Sequence, residues 1–154
     1  MSRVAFTVNG ERHVIEAEPR CTLADALREQ CAKPGTNIGC EHGVCGACTV
    51  LVDGEPVRSC LLFAVQAEGK SIRTVEGLAA NGELHDLQRA FMEYHALQCG
   101  YCTPGFLMLA VWCVENKRGA TDEEIRELVA SNLCRCTGYQ NIVRAIRAVM
   151  NRAK

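Results

Sequence analysis

Along the first third of the chain, apolar and polar residues alternate. Val4, Phe6 and Val8 fall on one side of an extended segment, Asn9-Gly10 supplies the left-handed pair that a two-residue hairpin turn needs, and Arg12 to Glu16 resumes as a second strand. Pro19 stops that strand, and Thr22-Leu23-Ala24-Asp25 opens a short helix with Leu23, Ala26 and Leu27 on one face. Further on, Thr49 to Val52 and Val57 to Leu62 flank Asp53-Gly54 as another hairpin, and Ser71 to Val75 adds a strand. The pattern predicts a small sheet packed on one helix.

From about residue 80 the repeat lengthens from two residues to the helical period, which marks a domain boundary with Gly77 to Gly82 as the linker. Leu84, Leu87, Phe91 and Tyr94 form one helical stripe. Thr103-Pro104 reads as N-cap and first residue of a buried helix running through Val114 and closed by Gly119. Thr121-Asp122-Glu123-Glu124 is a capping box for a third helix through Ile125, Leu128 and Val129. Ile142, Ala145, Ile146, Val149 and Met150 share the apolar face of a fourth. The chain therefore reads as an α+β protein, with a sheet domain over residues 1–78 and a four-helix bundle over 79–154.

Two domains within 154 residues are small, and an aromatic share of 5% suggests modest cores that need covalent staples. A net charge of −1 from 17 basic and 18 acidic residues offers no long-range attraction for nucleic acid or anionic lipid. The longest apolar run, Phe106 to Val114, is about half of a bilayer span, so no membrane segment is expected. Met1 to Gly10 lacks the apolar core of a signal peptide and a twin-arginine leader, which points to the cytoplasm.

The staples are suggested by the 11 cysteines, of which eight fall into two sets. Cys40, Cys45, Cys48 and Cys60 have four residues between the first two members, two between the next pair, and a distant fourth, the plant-type spacing for a [2Fe–2S] cluster. Gly39, Gly43 and Gly46 punctuate that loop, so that backbone N–H groups can approach cluster sulfur closely. A sheet and helix around such a loop make a β-grasp, plant-type ferredoxin domain. An exported disulfide framework lacks its signal peptide. Structural zinc is the stronger rival, but it favours two short knuckles over three cysteines in one glycine-rich loop. The second set, Cys99, Cys102, Cys134 and Cys136, lies at helix junctions, where unpaired N–H groups favour an anionic cluster or a thiolate. Its spacing alone identifies less.

The residues around the second set add what spacing lacks. Gln98-Cys99-Gly100-Tyr101-Cys102-Thr103-Pro104-Gly105 and Asn132-Leu133-Cys134-Arg135-Cys136-Thr137-Gly138-Tyr139 closely resemble the second-cluster signatures of the molybdenum hydroxylases, the xanthine dehydrogenase and aldehyde oxidoreductase family, and the first loop matches as well. The resemblance covers the chain from the opening hairpin to Ile146. It implies an electron-transfer iron–sulfur subunit with two [2Fe–2S] clusters and no catalytic residue of its own. Substrate oxidation would take place at molybdopterin, in its cytosine dinucleotide form, on a large subunit, and FAD would sit on a medium subunit, in a dimer of heterotrimers. Electrons would pass from the pterin to the C-terminal cluster, then the N-terminal cluster, then FAD. Gln98 would lie beside the pterin and Cys136 would be the ligand nearest to it. Ser131 departs from the family's glycine at that position, and a local change at the helix end is expected.

Cys21, Cys31 and Cys113 fall outside both sets and read as unligated core or partly exposed thiols. His42 reads as a surface histidine, because a Rieske site would need two histidines in place of two cysteines. His13, His85 and His95 have no acid or nucleophile clustered beside them. Arg135, between two ligands, either tunes a cluster or faces a partner. The competing function is a free-standing two-cluster ferredoxin, but a soluble shuttle commonly carries strong negative charge that this chain lacks.

Overall fold

A computed structural model describes residues 1–119 and 121–152. The opening hairpin pairs β1 (Ser2–Val8) with β2 (Glu11–Ala17), and its turn takes left-handed backbone at Asn9 (φ 52°) and Gly10 (φ 85°). α1 (Leu23–Glu29) starts where the Thr22 hydroxyl accepts the Asp25 N–H at 3.1 Å. β3 (Thr49–Val52) and β4 (Glu55–Arg58) make the second hairpin. β4 lies earlier than the alternation suggests, covering Glu55–Arg58 instead of Val57 to Leu62. The chain turns after Arg58, with Leu61 N–H on Arg58 O at 2.9 Å and the Ser59 hydroxyl on Cys48 O at 2.7 Å, and this turn carries Cys60 towards Cys48. β5 (Ser71–Arg73) runs parallel to β1 and antiparallel to β3, completing a mixed sheet of order β2-β1-β5-β3-β4. It stops short of Val75 because Thr74 is drawn onto the first turn, where Asn9 Oδ1 accepts its N–H at 2.9 Å.

Among the described residues four α-helices follow: α2 (Asp86–Glu93), α3 (Thr103–Glu115), α4 (Asp122–Val129) and α5 (Gln140–Arg152). α2 is capped by His85, whose Nδ1 accepts from Leu87 N–H at 3.1 Å while Gln88 Oε1 accepts from His85 N–H at 2.9 Å. That box places Leu84 outside the helix, 40% exposed. Cys102, not Thr103, is the N-cap of α3, and Thr103 and Pro104 are its first two residues. The helix closes at Asn116, before Gly119, because the Asn116 side chain donates to Trp112 O at 2.9 Å and Lys117 turns left-handed (φ 51°). Thr121 and Glu124 form the predicted capping box of α4.

The buried side chains make two main cores that meet at β3. Val50 and Val52 face the sheet core with Phe6, Leu23, Leu27 and Ile72, while Leu51 points the other way into the helical core with Phe91, Phe106 and Ile146. α3 packs on β3 and inside the other helices, so Gly105 through Val111 are all buried and the segment reads apolar on every side. Its first turn approaches the cysteine loop so closely that a Cβ on Gly105 would collide with Gly46 O and stand 3.0 Å from Ala47 O. Gly105→Ala should therefore destabilise the iron-loaded protein by about 1–3 kcal/mol, lowering Tm by roughly 2–4 °C for each kcal/mol. An unchanged Tm would show that this contact is not tight.

Candidate metal centres

Each predicted set of cysteines is brought together, and each as two pairs. In the first, Cys40 lies against Cys45 and Cys60 against Cys48. In the second, Cys102 lies against Cys134 and Cys136 against Cys99. Among the described residues no three His, Cys, Asp or Glu side chains close round a single point as one bound ion requires. In a [2Fe–2S] cluster each iron takes two cysteines, a donor set that two pairs of thiols could supply.

The first set is held by the glycine loop and the turn after β4. Cys48 and Cys60 are buried, and Cys40 and Cys45 half-buried. The N–H groups of Cys45 and His42 hold the Cys40 thiol down at about 6, the Cys45 N–H standing 3.4 Å from Cys40 Sγ. Burial pushes Cys60 the other way, to about 12, with Cys48 beside it adding to the rise. His42 is exposed, with Nδ1 on Cys40 O at 2.5 Å, as a surface histidine rather than a member of the donor set.

The second set spans the entrance to α3 and the turn between α4 and α5. Burial raises the Cys102 thiol to about 12, next to Cys134. For Cys134 burial acts upward too, but hydrogen bonds from the Thr137 side chain and backbone outweigh it and lower the thiol. Cys99 and Cys136 are exposed, as is Gln98, so this pair forms the solvent edge of the set while Cys134 lies inside. Arg135 is exposed between them.

The two sets are tied to each other. Leu133, the neighbour of Cys134, donates its N–H to Cys45 O at 2.8 Å, and the buried Asn132 side chain donates to Gly46 O at 3.2 Å. A side chain on Gly46 (φ 71°) would run into Asn132. Arg58 spans the joint, donating to Gly43 O at 3.4 Å, to Thr49 Oγ1 at 2.5 Å and to Ser131 O at 2.6 Å. Ser131 itself donates to Leu128 O at 2.8 Å, which satisfies an end carbonyl of α4. Sequence reasoning missed Arg58, Asn132 and Thr137. Asn132 and Thr137 had a signal, since polar residues beside ligand cysteines commonly orient them; Arg58 had none.

A 2Fe-2S iron-sulfur cluster binding domain matches residues 6–79, and a [2Fe-2S] binding domain matches residues 74–147. The chain is 56% identical over 149 residues to the caffeine dehydrogenase subunit gamma of Pseudomonas sp. (strain CBB1), covering 95% of this chain and 89% of that subunit. It is 47% identical over 145 residues to the xanthine dehydrogenase iron-sulfur-binding subunit of Escherichia coli O157:H7, covering 93% and 91%. A chain in the crystal structure of quinoline 2-oxidoreductase from Pseudomonas putida 86 superposes with a TM-score of 0.94 at 52% identity, covering 99% of this chain and 95% of that one. The chain belongs to the iron–sulfur subunits of the molybdenum hydroxylase family, which includes the xanthine dehydrogenases and aldehyde oxidoreductases. Its two binding domains support two [2Fe–2S] clusters. No helix among the described residues is long and apolar enough to cross a membrane.

The remaining cysteines stand apart. Cys31 and Cys113 are buried and Cys21 is half-buried. Burial holds the Cys113 thiol at about 12 against an ordinary value of 9.0. The unfolded chain gives up that proton near 9 and the folded chain only near 12, so this contribution to stability is constant below pH 9 and declines between 9 and 12. At pH 8, iodoacetamide should alkylate Cys21 of the iron-loaded protein before Cys31 and Cys113, and should spare the other eight until metal is removed. Peptide mass spectrometry reads this, and early labelling of any of the eight would contradict the assignment of the two sets.

Proposed function

We propose that the chain is the non-catalytic electron-transfer subunit of a molybdopterin-dependent hydroxylase or dehydrogenase, with the division between its two cluster domains near residue 78. Cys40, Cys45, Cys48 and Cys60 would hold the first cluster and Cys99, Cys102, Cys134 and Cys136 the second. Each cluster, when bound, takes up and gives back one electron at a time. The observation that carries the reading is the Leu133 N–H to Cys45 O hydrogen bond of 2.8 Å, which joins the backbone of one thiolate set to that of the other. Asn132 and Arg58 keep the two loops in register around it.

The exposure of each pair gives the reading its direction. Gln98, Cys99 and Cys136 open to solvent and form the edge that would meet the pterin, with the large subunit packed there; Gln98 and Cys136 are the proposed pterin contacts. Cys134 and Cys45 lie at the inner junction. Val44, Leu61 and Phe63, exposed beside the first set in sequence, would lie under a medium subunit that carries FAD. Assembly as a dimer of heterotrimers in the cytoplasm, with the pterin as its cytosine dinucleotide, completes the proposal.

The test uses the complex co-expressed with its large and medium subunits. Cys45→Ser should abolish the EPR signal of the N-terminal centre and block flavin reduction, while substrate still reduces molybdenum and the C-terminal centre. If Cys45→Ser instead removed the C-terminal signal, the grouping of cysteines would be wrong. A fully loaded monomer that serves unrelated reductases would favour a free-standing two-cluster ferredoxin.

A further inference from the structure

Between α4 and α5, the turn from Cys134 to Tyr139 closes on itself through three hydrogen bonds. Tyr139 Oη accepts the Cys134 N–H at 3.0 Å, Thr137 Oγ1 accepts the Tyr139 N–H at 3.2 Å, and Thr137 Oγ1 stands 3.0 Å from Cys134 Sγ. The turn is held in an uncommon shape, with Gly138 (φ 66°) and Tyr139 (φ 68°) both left-handed and the Tyr139 ring set edge-on to Phe106 at 6.2 Å. A hydroxyl has one proton and two lone pairs. The Tyr139 N–H occupies a lone pair of Thr137, which leaves the hydroxyl proton to point at the sulfur. The Cys134 N–H is engaged by Tyr139, and the backbone N–H groups of Thr137 and Cys136 also reach that sulfur, so the hydroxyl is a donor that a side-chain substitution removes while the backbone donors stay.

We propose that Thr137 acts through Cys134 to raise the reduction potential of the C-terminal [2Fe–2S] centre. One-electron reduction adds negative charge that spreads onto the sulfurs, and a donor fixed on one of them stabilises the reduced form more than the oxidised form. The sulfur so treated belongs to the inner pair, and its residue is the chain neighbour of Leu133, whose N–H meets Cys45. The hydroxyl therefore favours the electron on the side of the second set that faces the first. The first set draws its N–H contacts from the backbone of its glycine loop, such as the Cys45 N–H 3.4 Å from Cys40 Sγ, so side-chain substitution at Thr137 separates the two centres.

This inference rests on Cys134 being a cluster ligand, and the experiment separates the two. In the assembled complex, EPR-monitored redox titration compares the native protein with Thr137→Val, Thr137→Ser and Cys134→Ser. The midpoint of the C-terminal centre should fall in Thr137→Val, return in Thr137→Ser, and leave the N-terminal midpoint unmoved, with iron content unchanged. An unmoved C-terminal midpoint in loaded Thr137→Val, while Cys134→Ser abolishes that centre, overturns the role of Thr137 alone. A C-terminal signal that survives Cys134→Ser overturns the ligand assignment and this inference with it. Should Thr137→Val not load its second cluster, the native complex exchanged into D2O decides. A shift in the Fe–S stretching bands of the C-terminal centre, matched in Thr137→Ser, supports the hydroxyl hydrogen bond, and no shift overturns it.

Discussion

Two backbones in near contact set the architecture of this chain. The cysteine loop ending in β3 presses Gly46 against the first turn of α3 at Gly105, and neither position leaves room for a side chain. Once the backbones are that close, their polar groups must be satisfied across the joint, since an unpaired buried group costs about 1–3 kcal/mol. A third segment, the turn after α4, supplies the donors, with Leu133 N–H on Cys45 O and the Asn132 side chain on Gly46 O. Each bond lies next to a cysteine of the proposed donor sets, so the pairing that satisfies the backbone also fixes the separation of the two sets. The two-faced burial of β3, with Leu51 in one core and Val50 and Val52 in the other, follows from the same close approach.

One thiol in each set is strongly held in its protonated form by its surroundings. Burial pushes Cys60 and Cys102 to about 12, and each has another cysteine of its set in contact. Four thiolates could not share such a space unneutralised, so if the two sets hold iron as proposed, their deprotonation would be coupled to its binding and loading would strengthen the fold that creates the site. The backbone N–H groups at Cys40 and the Thr137 hydroxyl at Cys134 mark where the protein itself favours negative charge.

Much of this was legible in the sequence. The opening hairpin, α1 and the α4 capping box could be read from alternation and turn residues, and the cysteines grouped by spacing and by flanking residues do come near one another in pairs. Local rules failed where tertiary contacts prevailed. β4 looked longer because Leu61 and Leu62 continue the apolar run, yet the chain must turn after Arg58 to bring Cys60 to Cys48. α3 shows no stripe because it is buried all round, and there the unbroken apolar run after Thr103-Pro104 did mark a buried helix. His85 looked idle but caps α2, an ordinary task for an unusual residue. Arg58 was invisible because its three acceptors, Gly43, Thr49 and Ser131, come together only in the folded chain.

If the two cysteine sets hold iron–sulfur centres as proposed, the Leu133–Cys45 hydrogen bond keeps those centres close enough for their spins to interact. EPR of the fully reduced protein tests it directly. Two distinguishable [2Fe–2S] signals should appear, broadening or splitting each other and relaxing faster together than when only one centre is reduced. Two signals that saturate and relax as isolated centres, or a single signal at full reduction, would contradict it.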